Sequence, residues 1–121
     1  MIVYKWVIKQ NNRFYSLMNY GINSWRLPIS LAPYCINNIY SDYQNYGERL
    51  TNPFEKKGFH FWKNPEGEFL GMKLKWNNYL QKRNQPKINA ILLCEININD
   101  IIKENDIRVI AKKFKVIEQY E

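Results

Sequence analysis

The chain's single histidine lies in Gly58-Phe59-His60-Phe61-Trp62-Lys63-Asn64-Pro65-Glu66-Gly67, an aromatic run that ends at a helix-start signal. An imidazole exchanges protons near neutral pH, so His60 is the first residue to consider for acid–base or binding chemistry. Its setting points to a plainer role: Phe59 and Phe61 alternate against His60 and Trp62, as in a strand. His60 is kept as a candidate ligand-binding residue, and no general base is assigned. A metal site around one histidine would need carboxylates. Glu55, Glu66 and Glu68 are accounted for as surface and helix-start charges. Cys35 and Cys94 have no metal spacing, and Cys94, in step with Leu92 and Ile96, reads as a small buried hydrophobe. The chain has no GxGxxG, no phosphate loop, no HExxH, no CxxC and no GxSxG. No catalytic residue, metal or cofactor is expected, and the protein is not expected to be an enzyme.

The basic residues suggest binding. The formal charge is +7, which favours anionic partners. The lysines are scattered singly or in pairs such as Lys56-Lys57 and Lys112-Lys113, with no block that would form a nucleic-acid arm. An exposed lysine is ordinarily just a solvated charge. Arginine is the more pointed choice, because a planar fork matches phosphate or carboxylate. The five are Arg13, Arg26, Arg49, Arg83 and Arg108. Arg26 follows Trp25, and Arg49 comes shortly after Tyr46, giving the arginine-plus-aromatic pairing that binds a phosphate and stacks a base.

These residues must be placed by elements whose period is mostly two. Ile2, Tyr4, Trp6 and Ile8 share one face of a strand, with Val3, Lys5, Val7 and Lys9 on the other. Gln10-Asn11-Asn12 turns into a second strand at 13–19, completing an N-terminal hairpin. From Gly21 to Pro53 the pattern dissolves into prolines, glycines and tyrosines, with room for a short helix near 41–50. Tyr34, Tyr40, Tyr43 and Tyr46 have no periodic face to join there and read as an interaction surface. Asn64, Pro65 and Glu66 predict a helix from Pro65 to about Arg83, with Phe69, Met72, Trp76, Tyr79 and Leu80 as the stripe facing a sheet. Ala90, Leu92, Cys94, Ile96 and Ile98 predict a strand. A polar turn or short helix follows at 99–104, then a strand at 107–117 with a bulge near Lys112-Lys113. The fold class is α+β: a mostly antiparallel sheet with an N-terminal hairpin, one main helix packed on the sheet, and C-terminal strands. A chain of this length is a single domain, 1–121. It has no membrane-length apolar run and no leader pattern, so a cytoplasmic protein is expected.

With VYKWVIK at 3–9, FYSLMNYG at 14–21, KKGFHFWKNPEG at 56–67, LLCEI at 92–96 and DIRVIAKKFKVI at 106–117, the chain resembles small proteins encoded by phages and prophages of low-GC bacteria. In length and element order it is similar to the anti-Thoeris sponges. Those proteins are oligomeric and sequester cyclic ADP-ribose signals made by bacterial TIR-domain defence enzymes. Their binding residues are arginines, a stacking aromatic and an asparagine. The resemblance implies Arg108, in a matching C-terminal strand, as a ligand residue. Arg26, Arg49, Asn89 and Tyr79 follow, with no motif pinning them individually. The function expected is a counter-defence sponge that sequesters a cyclic nucleotide or cyclic ADP-ribose signal without cleaving it, as a homo-oligomer in the host cytoplasm. Two other classes stay open. One is an anti-CRISPR-like inhibitor of a host protein or nucleic acid, although nucleic acid is not the expected partner. The other is an ADP-ribosyltransferase-like enzyme, for which no carboxylate with its NAD-binding partner is recognisable.

Overall fold

The computed structural model describes residues 1–16, 33–43, 58–82 and 87–120. In chain order it runs β1 (Ile2–Gln10), β2 (Arg13–Ser16), β3 (Ile39–Tyr40), β4 (Phe59–Trp62), α1 (Met72–Gln81), β5 (Ala90–Glu95), a 3-10 turn (Ile98–Asp100), β6 (Ile101–Glu104), β7 (Arg108–Ala111) and β8 (Phe114–Tyr120). The pairings are antiparallel, in the order β3-β8-β5-β1-β4-β7-β6, with β2 attached to β1. The α+β class read from the alternating pattern is the one observed.

The N-terminal hairpin forms where expected. Gln10 pairs with Arg13, leaving Asn11 and Asn12 as a two-residue loop, both with positive φ (54° and 63°). Asparagine is among the few residues that tolerate that region, and such a turn matches the twist of the strands it joins.

The sheet is strongly curled. Only Lys112 and Lys113 separate β7 from β8, yet β5, β1 and β4 lie between those two strands in the sheet. Phe114 of β8 touches Phe59 and Phe61 of β4, with ring centroids 4.8 and 4.9 Å apart. In a flat sheet, three strand spacings would hold these strands about 14 Å apart. The curl encloses one core of Val3, Val7, Phe14, Leu92, Cys94, Val109, Ala111 and Val116 with those aromatic rings. Tyr34 and Tyr40 join it, and Tyr43 packs against it. Of the tyrosines read as an interaction surface, Tyr34 and Tyr40 are therefore core residues, and Tyr43 is half-buried against that core. They reach the core from irregular chain, so no periodicity could reveal it. Tyr46 lies outside the described residues, as do 44–50 of the expected short helix.

A second core lies on the outer face, where Trp6 and Ile91 of the sheet meet Met72 and Leu80 of α1, with Ile88. The helix begins later than predicted. Asn64 does accept a bond from the Glu66 amide (2.9 Å), and the Gly67 amide returns to the Asn64 carbonyl (3.0 Å), but these close a turn. Gly67 and Gly71 have φ of 79° and 89°, which no right-handed helix can contain, so α1 starts after the second glycine. Gly67 is also fixed by space: a Cβ there would lie 2.9 Å from the Trp6 indole.

Two C-terminal elements also differ. The strand predicted at 107–117 is two strands, because at Lys112-Lys113 the chain crosses from one end of the curl to the other. β7 pairs with β4 and β6, while β8 pairs with β5 and β3. The expected turn at 99–104 is a turn only through Asp100, and β6 then pairs with β7.

Candidate functional site

Along β1 and β4 every second side chain points out of the curl. Val3, Lys5, Val7, Phe59 and Phe61 go inward, while Tyr4, Trp6, His60 and Trp62 go outward. The register sets Leu93, Tyr4, Trp62 and Arg108 side by side across β5, β1, β4 and β7. Tyr4 and Trp62 are half-buried, and Arg108 is exposed. The Trp62 ring lies 4.8 Å from that of Trp6, whose indole N–H donates to the Pro65 carbonyl at 2.8 Å and so anchors the turn before α1. Tyr4 meets the edge of Tyr120 at 5.2 Å. The row therefore has a fixed underside and an open top.

Arg108 completes it. Its guanidinium carbon sits 4.6 Å from the centre of the Trp62 ring. Among the described residues its side chain has no carboxylate partner, whereas the neighbouring Lys63 is matched by Glu104 at 2.6 Å. Its strand start is pinned by Asn105, whose side-chain oxygen accepts from the amides of Ile107 and Arg108, each at 2.8 Å. An exposed guanidinium held over an aromatic face is positioned to meet phosphate or carboxylate oxygens.

A second feature runs along one side of α1. Phe69, Met72, Lys75, Trp76 and Tyr79 line an open groove of about 490 Å³. Trp76 and Tyr79 meet edge to face at 5.8 Å, and the Lys75 ammonium lies 5.1 Å over the Phe69 ring. The spacing of three and four that predicted a sheet-facing stripe is real, but only Met72 and Leu80 of that stripe are buried, while Phe69 and Tyr79 stay exposed.

The residues singled out from sequence are thus not gathered at one point. Arg108 ends the sheet row and Tyr79 lines the helix groove. His60 shares the outward face of β4 with Trp62, opposite Ile110, and its backbone carbonyl accepts from Lys5 Nζ at 2.8 Å. Asn89 is occupied structurally: its amide oxygen accepts from the Lys9 amide (2.5 Å) and its amide nitrogen donates to the Lys9 carbonyl (2.8 Å), extending the β1–β5 ladder by one step. Trp25, Arg26 and Arg49 lie outside the described residues. Sequence reading passed over Tyr4, Trp62 and Trp76 as binding residues because their periodicity assigned them to packing, and over Lys75 because an exposed lysine is ordinarily a solvated charge. The available signal was Trp62 itself, four residues into a strand whose outward positions are not all covered.

Among the described residues, no group of three or more His, Cys, Asp or Glu is placed to hold a metal ion, and no helix is long and apolar enough to cross a membrane. Burial at the core pushes the Tyr40 phenol up. Compared with protein-family models, curated proteins and solved structures, the chain matches none.

Proposed function

We propose that the protein is a binder that sequesters a phosphate-bearing nucleotide, of the cyclic nucleotide or cyclic ADP-ribose type, at the Tyr4–Trp62–Arg108 row. The observation that carries this reading is the exposed Arg108 guanidinium, its carbon 4.6 Å over the half-buried Trp62 ring, without a carboxylate partner among the described residues. Phosphate oxygens take the guanidinium edge, and a base or ribose lies on the exposed parts of Tyr4 and Trp62. Sequestration needs affinity alone, so no nucleophile or base is required of the row. The reading includes a cytoplasmic site of action, as for a phage-type counter-defence protein. It also includes assembly into a homo-oligomer, for which Leu70 and Leu74, 84% and 64% exposed, are apolar surface to be covered.

The test is titration with a panel of cyclic and linear nucleotides, followed by heat release and mass spectrometry. The expected result is one ligand class bound and recovered chemically intact. Turnover in proportion to protein concentration would make the protein an enzyme, and no binding across the panel would remove the small-nucleotide reading. A second reading is favoured by the openness of the row, which is a surface strip and not an enclosed pocket: docking of a host protein or a single nucleic-acid strand. For the strand, affinity would fall steeply with salt and rise with oligonucleotide length, in contrast to a mononucleotide held by one arginine.

A further inference from the structure

We propose that the groove along α1 is a separate site, for a small apolar organic anion: an arene or short hydrocarbon body carrying one carboxylate or sulfonate. Four of its five lining residues, Phe69, Met72, Trp76 and Tyr79, present aromatic or thioether surface, and the fifth is Lys75. Its volume, about 490 Å³, is that of a pocket for a ligand of drug-like size. Lys75 is exposed, rests on Phe69, and has no carboxylate partner among the described residues. Along α1 itself the charge has one sign: residues 72–82 include Lys73, Lys75 and Lys82 and no Asp or Glu. The nearest carboxylates along the chain, Glu66 and Glu68, belong to the turn before the helix.

That composition selects the ligand. The apolar walls give a hydrocarbon body its burial, and the single ammonium gives one anionic group a charge-assisted bond. A ligand with two or three phosphates would leave most of its charge unmatched against apolar walls. A second copy of the chain docking groove to groove would put two Lys75 ammoniums into one interface with no Asp or Glu from α1 to match them. The site is independent of the row ending at Arg108, so its test can fail without bearing on nucleotide binding.

The probes are 1-anilinonaphthalene-8-sulfonate and its uncharged parent N-phenyl-1-naphthylamine, which differ in the sulfonate. Each is titrated by fluorescence into the full-length protein, its Lys75→Gln variant and a Lys113→Gln control in the β7–β8 link. One sulfonate probe should bind per chain. Lys75→Gln should weaken it about three- to five-fold, the size of a solvent-accessible ion pair, and change the neutral probe less than about two-fold. Lys113→Gln should leave both unchanged, and Trp76→Leu, folded by circular dichroism, should weaken both. Equal losses from Lys75→Gln and Lys113→Gln would show a diffuse positive field and overturn the site. So would equal loss of both probes in Lys75→Gln, several sulfonate probes bound per chain, or light scattering in which the probe dissociates a dimer.

Discussion

Lys5 and Arg108 both lie over aromatic rings, on opposite faces of the same sheet, and they have opposite consequences. Lys5 is 3% exposed, its ammonium 4.9 Å from the Phe61 ring and 5.8 Å from that of Tyr34, and it donates to the His60 carbonyl. Arg108 lies 4.6 Å over Trp62 and is exposed to solvent. Inside the curl, a cation–π contact is desolvated and its ammonium is committed to the fold; outside, the same contact is weak and leaves the N–H groups free to meet a ligand. The rings differ in the same way. Phe114 touches Tyr34, Tyr40, Phe59 and Phe61, whereas the outer Trp62 is packed on one side and half-open on the other. Aromatic content therefore says little about function here until each ring is assigned a face.

The comparison breaks most directly at Phe114, which joins β8 to β4 across the inside of the curl. Phe114→Ala should cost about 3–5 kcal/mol, the range for emptying a large aromatic site in a packed core. Denaturant unfolding measures it, and a loss under about 1 kcal/mol would mean that the curl is held by the ladder alone. Lys5→Met comes next. The substitution keeps length and removes the ammonium, leaving the His60 carbonyl without that donor, so a loss of about 1–3 kcal/mol is expected. A neutral or stabilising result would show that the buried charge contributes nothing net to the inner face.

Much of the scaffold was legible in the sequence, and the places where it was not have physical reasons. Alternation in 2–9 gave β1 with both of its faces, but not that Lys5, in step with Val3 and Val7, is buried, because a lysine is ordinarily a solvated charge. The helix stripe was visible but its start was not, because Asn64-Pro65-Glu66 caps a turn as readily as a helix and the two glycines decide between them through φ. The break at Lys112-Lys113 registered as a change of face; that it carries the chain to a different pair of strands is a long-range fact that local pattern does not hold. At the site, Arg108 could be nominated, yet its partner Trp62 is 46 residues away, and only pairing of β4 with β7 joins them.

Tyr40 tests the inner face by pH. Its phenol oxygen accepts from the Cys35 amide and lies 3.4 Å from the Cys35 carbonyl oxygen, and burial pushes its pKa above the ordinary 10.0. A group whose folded pKa is raised stabilises the fold fully below its unfolded value, and loses that contribution as pH climbs through the folded one. Stability should therefore fall above pH 10, and Tyr40→Phe should flatten that alkaline limb while costing about 1 kcal/mol near neutrality for the lost hydrogen bonds. Unfolding curves from pH 7 to 11 for both proteins decide it, and parallel curves would mean that the phenol does not feel the core.

The smallest effect on the fold is expected from Arg108→Ala, and it sharpens the comparison most. An exposed cation–π contact contributes about 0.5–1 kcal/mol, so unfolding should shift by no more than that. Binding should respond differently. An arginine in a desolvated pocket would take about 2–4 kcal/mol of affinity with it, but this guanidinium is open to water, which lowers the expected loss to about 1–2 kcal/mol, or roughly five- to thirty-fold in Kd. Arg108→Lys separates stacking from charge: the ammonium keeps the sign but gives up the planar fork, so it should recover less than half of the lost binding free energy. Lys112→Ala, an exposed position in the β7–β8 link, should change affinity by well under 1 kcal/mol. Calorimetry on the three variants with whichever nucleotide binds best reads all of this at once. If Arg108→Ala and Lys112→Ala lose the same small amount, the outer face acts only through its net charge, and the stacked pair of Trp62 and Arg108 is a piece of surface packing like its buried counterpart at Lys5.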